Sequence, residues 1–343
     1  SCLARGALVY RIRAWTRLHV PVVPGTDGGV ASLEEAMETA KSIGYPVMLK
    51  ASAGGGGIGM QIVASEEELK KAFENNSKRA LTFFGDGSMF IEKKLENARH
   101  IEIQILADQH GNVIHLFERE CSIQRRNQKV IEEAPSAFIS EKTRKQMGEA
   151  AINAAIALRY SNAGTIEFLV DENENFYFLE MNTRIQVEHP VTEEITGLDI
   201  VEQQLKIAQG ERLHFTQEDI KINGHAMEAR IYAEDPVTFF PSPGHITKFD
   251  IPTGKAVRNE LAVTEKSDVT PFYDPMIGKL IVRGETRQES ISLLKQALAQ
   301  YKIEGIKTNI PMLLKVVDLE QFKMGNTTTD FVQKHYLPLV QTN

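Results

Sequence analysis

Read with the two-residue period of a β-strand, residues 176–188 separate into two faces. One predicted face is apolar and suits a protein core. The opposite face lines up five polar side chains, those of Glu180, Asn182, Arg184, Gln186 and Glu188. An ordinary half-exposed strand carries unrelated polar residues on its outer face. A row of carboxylate, carboxamide and guanidinium groups instead favours a site that holds a metal ion, an anion and a base.

A second apolar segment, residues 164–170, precedes this row and is followed by a polar turn. The pattern predicts a β-hairpin, and counting back from the turn places Glu167 opposite Glu180. Like charges that face each other across two strands destabilise a sheet. A divalent cation between them would remove the repulsion, with Asn182 as a further oxygen ligand. Oxygen-only ligation with few carboxylates is typical of Mg²⁺ or Mn²⁺ that phosphates also bind.

Helical patterns occur at several places along the chain. Ser32 and Ser65 each begin a Ser-x-x-Glu sequence, which predicts the N-cap of an amphipathic helix. Further helices are predicted over residues 141–158, 198–210 and 288–301. Extended segments interrupted by proline and glycine begin near residue 222. We therefore expect an α+β protein with one domain over residues 20–212 and another over residues 222–337.

A glycine run supplies a candidate phosphate site. Residues 45–50 form a short apolar segment that ends in Lys50, and Gly54–Gly57 follow shortly after. Consecutive glycines let backbone N–H groups surround an anion without a clash from Cβ. The run matches neither a Walker loop nor a dinucleotide fingerprint. A glycine run alone is more often a flexible hairpin tip, but Lys50 and the paired carboxylates favour ATP.

These segments resemble those of the ATP-grasp ligases and, more narrowly, of the biotin carboxylases. The resemblance begins near Val20, extends into the C-terminal region and rests on residues 50–60, 92–95, 99–104, 121–129, 133–135, 167–193 and 228–230. Its most specific part is the segment 180–193, since other ATP-grasp ligases would share only the metal carboxylates. The resemblance implies an ATP-grasp fold with a glycine-rich lid over about residues 23–94, followed by a biotin carboxylase C-terminal domain.

The resemblance also implies which residues bind ATP. They are Lys50, Gly54, Gly55, Gly56, Gly57, Glu92, Leu95, His100, Gln124, Asn127, Glu167 and Glu180. Lys50 would neutralise phosphate charge, and the glycine loop would close over the triphosphate. Glu92 and Leu95 would contact the adenine, one through its side chain and one through its backbone.

Two of these assignments have alternatives. His100 would contact ribose or phosphate, but it could instead be a surface residue at the beginning of a strand. Asn127 stands where some relatives have histidine, so its contact with ATP is left open. The metal site, with two Mg²⁺ or Mn²⁺ ions, would be formed by Glu167, Glu180 and Asn182.

The implied chemistry needs a base, an anion pocket and an enolate stabiliser. Glu188 would deprotonate bicarbonate, which attacks the γ-phosphate of ATP to give carboxyphosphate. The bicarbonate and biotin pocket would be lined by Lys129, Arg184, Gln186, Val187 and Arg230. Arg230 would stabilise the biotin enolate. Lys129, Arg184, Glu188 and Arg230 are therefore the predicted catalytic residues, while His189 is expected to be structural.

Composition agrees with an enzyme of this kind. The chain has 343 residues, 42% of them hydrophobic, and a net charge of -7, which argues against a nucleic-acid partner. No apolar run is long enough to span a membrane. Two cysteines do not form a disulfide framework, so we expect a reducing cytoplasm, with the mitochondrial matrix less favoured. The expected partners are a biotin carboxyl carrier protein, a carboxyltransferase and a second copy of the intact parent chain.

The first nineteen residues differ from the family pattern. They contain four arginines and no acidic residue, and no lysine occurs before Lys41. An organellar presequence has this character, but we favour a truncated or altered N-terminus. The family has a leading α/β domain and a lysine in a Gly-Asp-Lys sequence, which would fall near Leu8. We therefore expect this chain to bind ATP weakly and to turn over poorly.

Two other functions remain as alternatives to biotin carboxylation. One is another ATP-grasp carboxylate–amine ligase, and the other is a nucleotide-binding remnant that docks on a carboxylase complex without turnover. The final acceptor, such as acetyl-CoA for fatty acid biosynthesis, propionyl-CoA or pyruvate, is also left open, because the acceptor chemistry belongs to another domain.

Overall fold

A computed structural model describes residues 20–26, 28–30, 32–52 and 60–341. The predicted glycine loop and the position near Leu8 lie outside these residues. The chain forms two compact units. The first contains the residues up to Glu96 together with Asn175–Leu179, and the second contains Asn97–Glu174 and Glu180–Asn343.

The first unit is built on a small antiparallel sheet. Its strands are β1 (Val47–Ala51), β2 (Met60–Val63) and β3 (Met89–Lys93), in the order β2-β1-β3. Two helices, α1 (Leu33–Ile43) and α2 (Glu66–Phe84), pack against this sheet through an apolar core. The alternating burial of β1 is the expected result of one covered face.

Both predicted N-caps in this unit are confirmed. Ser32 Oγ accepts a hydrogen bond of 3.2 Å from the Glu35 amide, and Ser65 Oγ accepts one of 3.3 Å from the Glu68 amide. The Glu68 carboxylate accepts from the Ala64 amide at 2.8 Å, one residue earlier than in a standard capping box. The serines therefore fix where α1 and α2 begin.

The second unit contains most of an eight-stranded sheet. Its strands are β4 (Arg99–Ala107), β5 (Val113–Arg125), β6 (Gln128–Ala134), β7 (Asn162–Val170), β8 (Phe176–Asn182), β9 (His225–Tyr232), β12 (Val257–Leu261) and β14 (Met276–Gly284). The strand order is β12-β14-β9-β6-β5-β4-β7-β8. The predicted hairpin is confirmed, because β7 and β8 are neighbours in this sheet.

Short strands and seven further helices complete the described fold. The strands are β10 (Gly244–His245), β11 (Lys248–Asp250), β13 (Asp268–Val269) and β15 (Lys302–Glu304). The helices are α3 (Glu141–Ala157), α4 (His189–Thr196), α5 (Ile200–Ala208), α6 (Arg287–Gln300), α7 (Ile310–Asp318), α8 (Glu320–Lys323) and α9 (Leu337–Val340). A 3₁₀ turn (Gln217–Asp219) and a π turn (Val332–Tyr336) lie between them. The predicted helices over 141–158, 198–210 and 288–301 are confirmed as α3, α5 and α6.

The prediction that the polar strand face continues beyond Asn182 is wrong. Strand β8 ends at Asn182, residues 183–188 form a loop, and α4 begins at His189 with Pro190 in its first turn. Proline presets the backbone for the start of a helix and cannot donate to a strand ladder. Arg184 and Glu188 are therefore positioned by a loop rather than by the strand that carries Glu180.

The interior strands of the sheet contain buried charged residues. All nine residues of β4 are buried, because β4 lies between β5 and β7. Glu102 and Gln104 of this strand are fully buried. A buried charge is tolerated only when it is paired and hydrogen-bonded, so the sheet must supply cations near Glu102. In the part of the chain that the structure describes, no helix is both long and apolar enough to cross a membrane.

Asn309 is expected to stabilise the end of β9. It is fully buried, its Oδ1 accepts from the Tyr232 amide at 2.8 Å, and its Nδ2 donates to the Arg230 carbonyl at 2.9 Å. Asn309→Ala should lower the free energy of unfolding in urea by about 1–3 kcal/mol for each backbone group left unpaired. The exposed Asn326 is the control, and Asn326→Ala should change stability by less than about 0.5 kcal/mol. Equal stability of the two variants would contradict this role.

Candidate active site

Lys129 stands among three buried carboxylates. Its ammonium group donates to Glu102 at 2.7 Å, to Glu167 at 3.1 Å and to Glu188 at 2.6 Å. The three acceptors come from β4, from β7 and from the loop before α4. Burial lowers the pKa of Lys129, but the carboxylates, Glu102 foremost, outweigh it and raise the pKa well above its usual value. Lys129 therefore stays cationic and compensates the charge of its acceptors.

His100 is the second cation near Glu167. Its Nε2 lies 3.1 Å from Glu167 Oε2 and 3.7 Å from Glu102 Oε2. Burial and Lys129 lower the pKa of His100, but the two carboxylates prevail and raise it to about 9. Only 7% of His100 is exposed, so the alternative that it is a surface residue is wrong. Whether it contacts ATP stays a prediction.

The predicted metal residues lie within hydrogen-bonding distance of one another. Asn182 Nδ2 donates to Glu167 Oε1 at 3.0 Å and to Glu180 Oε1 at 3.4 Å. Burial raises the pKa of Glu167, but His100 and Lys129 hold it well below its usual value, so this ligand is ionised. Two carboxylates joined by one carboxamide form an oxygen donor set, which fits Mg²⁺ or Mn²⁺. The Glu167–Glu180 register stays a prediction.

Three residues predicted to bind bicarbonate share the loop before α4. Gln186 is buried, and its Nε2 donates to Glu167 Oε1 at 2.6 Å. The Val187 carbonyl accepts from Lys279 at 2.8 Å. Arg184 is exposed and donates to the Ile185 carbonyl at 3.1 Å. The loop thus turns Gln186 towards the carboxylates and leaves the Arg184 fork accessible to an anion.

Glu188 connects Lys129 with Arg230. Arg230 Nη2 donates to Glu188 Oε2 at 2.8 Å, and Arg230 Nε donates to Glu132 Oε1 at 2.6 Å. Glu188 is buried, with 2% of its surface exposed. Its two oxygens each accept from a different cation and keep further lone pairs for a proton. The predicted base, anion-binding lysine and enolate stabiliser therefore form one contiguous network.

Gln124 lies near the end of β5, and Asn127 lies in the turn between β5 and β6. Gln124 Nε2 lies 3.3 Å from His100 Nδ1 and donates to the Cys121 carbonyl at 2.9 Å. Arg126 and Asn127 have positive φ values of 49° and 61° and form the two-residue turn between β5 and β6. Asparagine tolerates this left-handed conformation well. The structure thus gives a conformational reason for Asn127, and its contact with ATP stays a prediction.

The candidate adenine and phosphate residues of the first unit are also placed. Lys50, in β1, forms an ion pair with Glu92 in β3. Leu95 is half-buried just after β3. Gly54–Gly57 lie outside the described residues. Lys50 and Glu92 are thus neighbours within this unit, as a shared ligand would require.

The sequence analysis missed Arg119, the largest fully buried side chain of the described chain. Its guanidinium group has five N–H donors, and five side-chain oxygens surround it at 2.6–3.2 Å: Glu102 Oε1, Gln104 Oε1, Thr165 Oγ1, Gln186 Oε1 and Thr192 Oγ1. Because Gln186 accepts from Arg119, its amide nitrogen is directed at Glu167. The signal available in the sequence was an arginine between two glutamates within an apolar strand.

Cys121 is also buried beside this network. Burial raises the pKa of its thiol well above the usual value, and Glu102 adds to the effect. The thiol is therefore protonated and packed.

The fold and the site define an ATP-grasp enzyme, and comparisons with known proteins agree. A family model described as carbamoyl-phosphate synthase L chain, ATP binding domain, matches residues 11–216. A second model, biotin carboxylase C-terminal domain, matches residues 228–334.

Individual relatives define the family more narrowly. The chain is 62% identical over 330 residues to "Biotin carboxylase 2" of Bacillus subtilis (strain 168), covering 96% of this chain and 74% of that protein. A crystal structure of a biotin carboxylase–β-γ-ATP complex from Campylobacter jejuni matches with a TM-score of 0.92 and 49% identity, covering 96% of this chain and 74% of that one. The biotin carboxylase domain of Hydrogenobacter thermophilus 2-oxoglutarate carboxylase, solved with MgADP, ADP and bicarbonate, matches with a TM-score of 0.92 and 48% identity, covering 96% and 73%. The chain belongs to the biotin carboxylase family.

Arg119 is expected to fix the orientation of the Gln186 amide. Arg119→Lys keeps the positive charge but cannot reach all five acceptors, so the Gln186 side-chain amide resonances should shift in a ¹⁵N-glutamine NMR spectrum. The matched control is Arg99→Lys, which alters another buried arginine, paired with Glu120 at 3.1 Å. Both variants should lose about 1–3 kcal/mol of stability for each acceptor left unpaired. Equal Gln186 shifts in both variants would show that the effect is general destabilisation.

Proposed function

We propose that this protein catalyses the ATP- and bicarbonate-dependent carboxylation of biotin on a biotin carboxyl carrier protein. This is the first half-reaction of a biotin-dependent carboxylase. The observation that carries the proposal is the contiguous network of Lys129, Glu188 and Arg230. Membership of the biotin carboxylase family supports it over a different ATP-grasp ligase.

Glu188 is the base of the proposed reaction. It lies in a buried position where Lys129 and Arg230 hold both of its oxygens, so the carboxylate is fixed in direction. A positioned carboxylate can accept a proton from bound bicarbonate. Deprotonated bicarbonate then attacks the γ-phosphate of ATP, which forms carboxyphosphate and releases ADP.

The bicarbonate pocket comprises Lys129, Arg184, Gln186 and Val187. Arg184 offers a planar fork that matches a planar anion, and it is accessible in the structure. Lys129 supplies a second positive charge, 2.6 Å from Glu188. Together these residues keep the anion beside its base while the phosphoryl group is transferred.

Carboxyphosphate divides into CO₂ and phosphate, and the phosphate accepts the N1′ proton of biotin. The resulting biotin enolate attacks CO₂ to give carboxybiotin. Arg230 stabilises the enolate oxygen through its guanidinium group. Glu132 and Glu188 already hold Arg230 on two sides, so little reorientation is needed when the enolate forms.

ATP is bound by the residues that the family pattern predicts. In the first unit, Lys50 neutralises phosphate charge, Glu92 and Leu95 contact the adenine, and the glycine loop covers the triphosphate. In the second unit, His100, Gln124 and Asn127 are the proposed ATP-binding residues. When bound, the divalent cation neutralises charge on the phosphates. Glu167, Glu180 and Asn182 would hold it through their oxygen atoms.

The proposal extends to organisation and partners. We assign an ATP-grasp domain to residues 20–212 and a C-terminal domain to residues 222–337. The carboxybiotin product must be consumed by a carboxyltransferase, so the proposed partners are a biotin carboxyl carrier, a carboxyltransferase and a second copy of the chain. A cytoplasmic enzyme fits the absence of a disulfide framework.

Glu180→Gln tests the metal site. The variant should weaken Mg-ATP binding strongly in calorimetry while the fold stays intact, because one charged ligand is lost. Relief of repulsion from Glu167 could raise the stability of the metal-free protein by about 0.2–1 kcal/mol. The exposed Glu172 serves as a control, since Glu172→Gln leaves the proposed site unchanged. Unchanged affinity of Glu180→Gln for Mg-ATP would refute the metal assignment.

A pair of variants separates the base from the enolate stabiliser. Glu188→Gln should retain ATP binding but reduce bicarbonate-dependent phosphate release by about 10²–10⁴-fold, since the base is lost. Arg230→Ala should reduce biotin carboxylation more than it reduces bicarbonate-dependent ATP hydrolysis. If both variants lose the two activities in equal proportion, the division of roles is wrong.

A further inference from the structure

Two glutamates face each other across neighbouring strands beneath Arg230. Glu132 of β6 and Glu228 of β9 are direct Cα partners in the antiparallel ladder. Directly opposed side chains share a sheet face, with their Cβ atoms about 4.5–5.5 Å apart. Neither residue has any exposed surface. The proposed mechanism uses neither of them as an acid or a base.

Three of their four carboxyl oxygens lack a hydrogen-bond partner among the described residues. These are Glu132 Oε2, Glu228 Oε1 and Glu228 Oε2. Only Glu132 Oε1 is bonded, to Arg230 Nε at 2.6 Å. The adjacent Glu133 is different, because its carboxylate accepts from His225 at 2.7 Å and from Arg287 at 2.7 and 3.2 Å. Among the buried carboxyl oxygens of the described residues, the missing partners are thus confined to the opposed pair.

The surroundings of Glu228 are apolar on one side and charged on the other. On the apolar side, Ile281 of β14 is the direct strand partner of Glu228, and Ala226 lies two residues before it on β9. Both belong to a buried apolar cluster. The charged groups that act on the pair are Arg230, Glu188, Lys279 and Lys129. Lys279 is already engaged, since it donates to the Val187 carbonyl at 2.8 Å and pairs with Glu260 at 2.5 Å. An ionised Glu228 would therefore be a buried charge without a bonded partner, which is very unfavourable.

We propose that Glu132 and Glu228 share one proton, carried as a hydrogen bond from a neutral Glu228 carboxyl group to Glu132 Oε2. One proton then gives a partner to an oxygen of each residue and removes the repulsion between them. It also leaves a single negative charge on Glu132, opposite the guanidinium group of Arg230. The pair is a positioning element for Arg230, because it sets how firmly Glu132 holds that side chain.

The electrostatics of the two groups agree with a retained proton. Burial raises the pKa of Glu132 to about 7, with Glu188 adding to the effect and Arg230 opposing it. Burial and Glu132 together raise the pKa of Glu228 well above its usual value. A second carboxylate close to the first is the arrangement in which one proton is held strongly.

Loss of the shared proton has a consequence for catalysis, and this part rests on the proposed function. Two negative charges beneath Arg230 attract its guanidinium group more strongly than one. Arg230 is then held towards Glu132 and away from the biotin enolate. We therefore expect kcat/KM for biotin to fall at alkaline pH, because enolate stabilisation is weakened.

Glu228→Gln tests the shared proton, because the amide N–H₂ group donates to Glu132 Oε2 at every pH. In the wild-type protein the folded pair keeps a proton that the unfolded carboxyls release near pH 4.3, the usual glutamate pKa being about 4.3. Stability is thus fully present below that pH and is lost as the pH rises through the folded pKa. One retained proton changes the folding constant by about tenfold per pH unit. Urea unfolding from pH 5 to 9 should show this loss in the wild type in addition to the loss from His100, whose pKa is raised to about 9. The slope of Glu228→Gln should be smaller by the contribution of one proton.

Glu133→Gln is the matched control. Burial raises the pKa of Glu133, but its hydrogen bond from His225 and the charge of Arg287 lower it to about 2. This carboxylate stabilises the folded state above the usual glutamate pKa, so Glu133→Gln should lose stability at every pH from 5 to 9 and keep the wild-type slope. If Glu228→Gln behaves in the same way, Glu228 is ionised and the proposal is overturned.

The catalytic consequence is tested separately in steady-state assays with free biotin. The ratio of the wild-type kcat/KM for biotin to that of Glu228→Gln should fall between pH 7 and 9. If the stability slope of Glu228→Gln is reduced but this ratio does not change with pH, the action on Arg230 is refuted. Absence of biotin-dependent turnover in the wild type would contradict the proposed function and leave the unfolding result intact.

Discussion

The ammonium group of Lys129 is the interaction on which the candidate site depends. It compensates Glu102, Glu167 and Glu188, three buried carboxylates that would otherwise repel one another. Breaking a buried ion pair by removing one partner is strongly destabilising, because the remaining charge stays buried. The same contacts also bring together a strand from each side of β5 and the loop before α4. The contacts that compensate the buried charges therefore also position the proposed base.

The network of ion pairs around Lys129 continues across the sheet, and positive and negative side chains alternate along it. Cations and carboxylates follow one another in the order Arg119, Glu102, Lys129, Glu188, Arg230 and Glu132. Every internal member has a partner on both sides, so the groups are oriented before any substrate arrives. Such preorganisation is what stabilises developing charge in a transition state at low cost. It also means that bicarbonate must compete with existing ion pairs, and the exposed Arg184 is the predicted anion-binding residue best placed to begin that exchange.

The sequence predicted the hairpin and its carboxylates because both follow from local alternation. Asn182 contacts both Glu167 and Glu180, and the two-residue period places Glu180 and Asn182 on one strand face. The register across the hairpin stays a prediction. The same period wrongly predicted a continued strand after Asn182, because α4 begins at His189 with Pro190 in its first turn. Arg119 escaped notice for a different reason. Its five acceptors come from four separate elements, and no pattern within one strand reveals partners on other strands.

The balance of buried charge explains why one glutamate of this sheet differs from the others. Five glutamates lie in the region around Lys129 and Arg230: Glu102, Glu132, Glu167, Glu188 and Glu228. Four of them contact Lys129, Arg119, His100 or Arg230. Glu228 contacts none of these cations and packs beside apolar side chains. A sheet interior cannot hold a free carboxylate, so the fifth group must be neutralised, and a proton shared with Glu132 does this without adding another side chain. With Glu228 neutral, Arg230 is bonded to the carboxylates of Glu132 and Glu188 and faces no third buried negative charge. The guanidinium group is thus kept oriented without being bound too firmly for a reacting biotin.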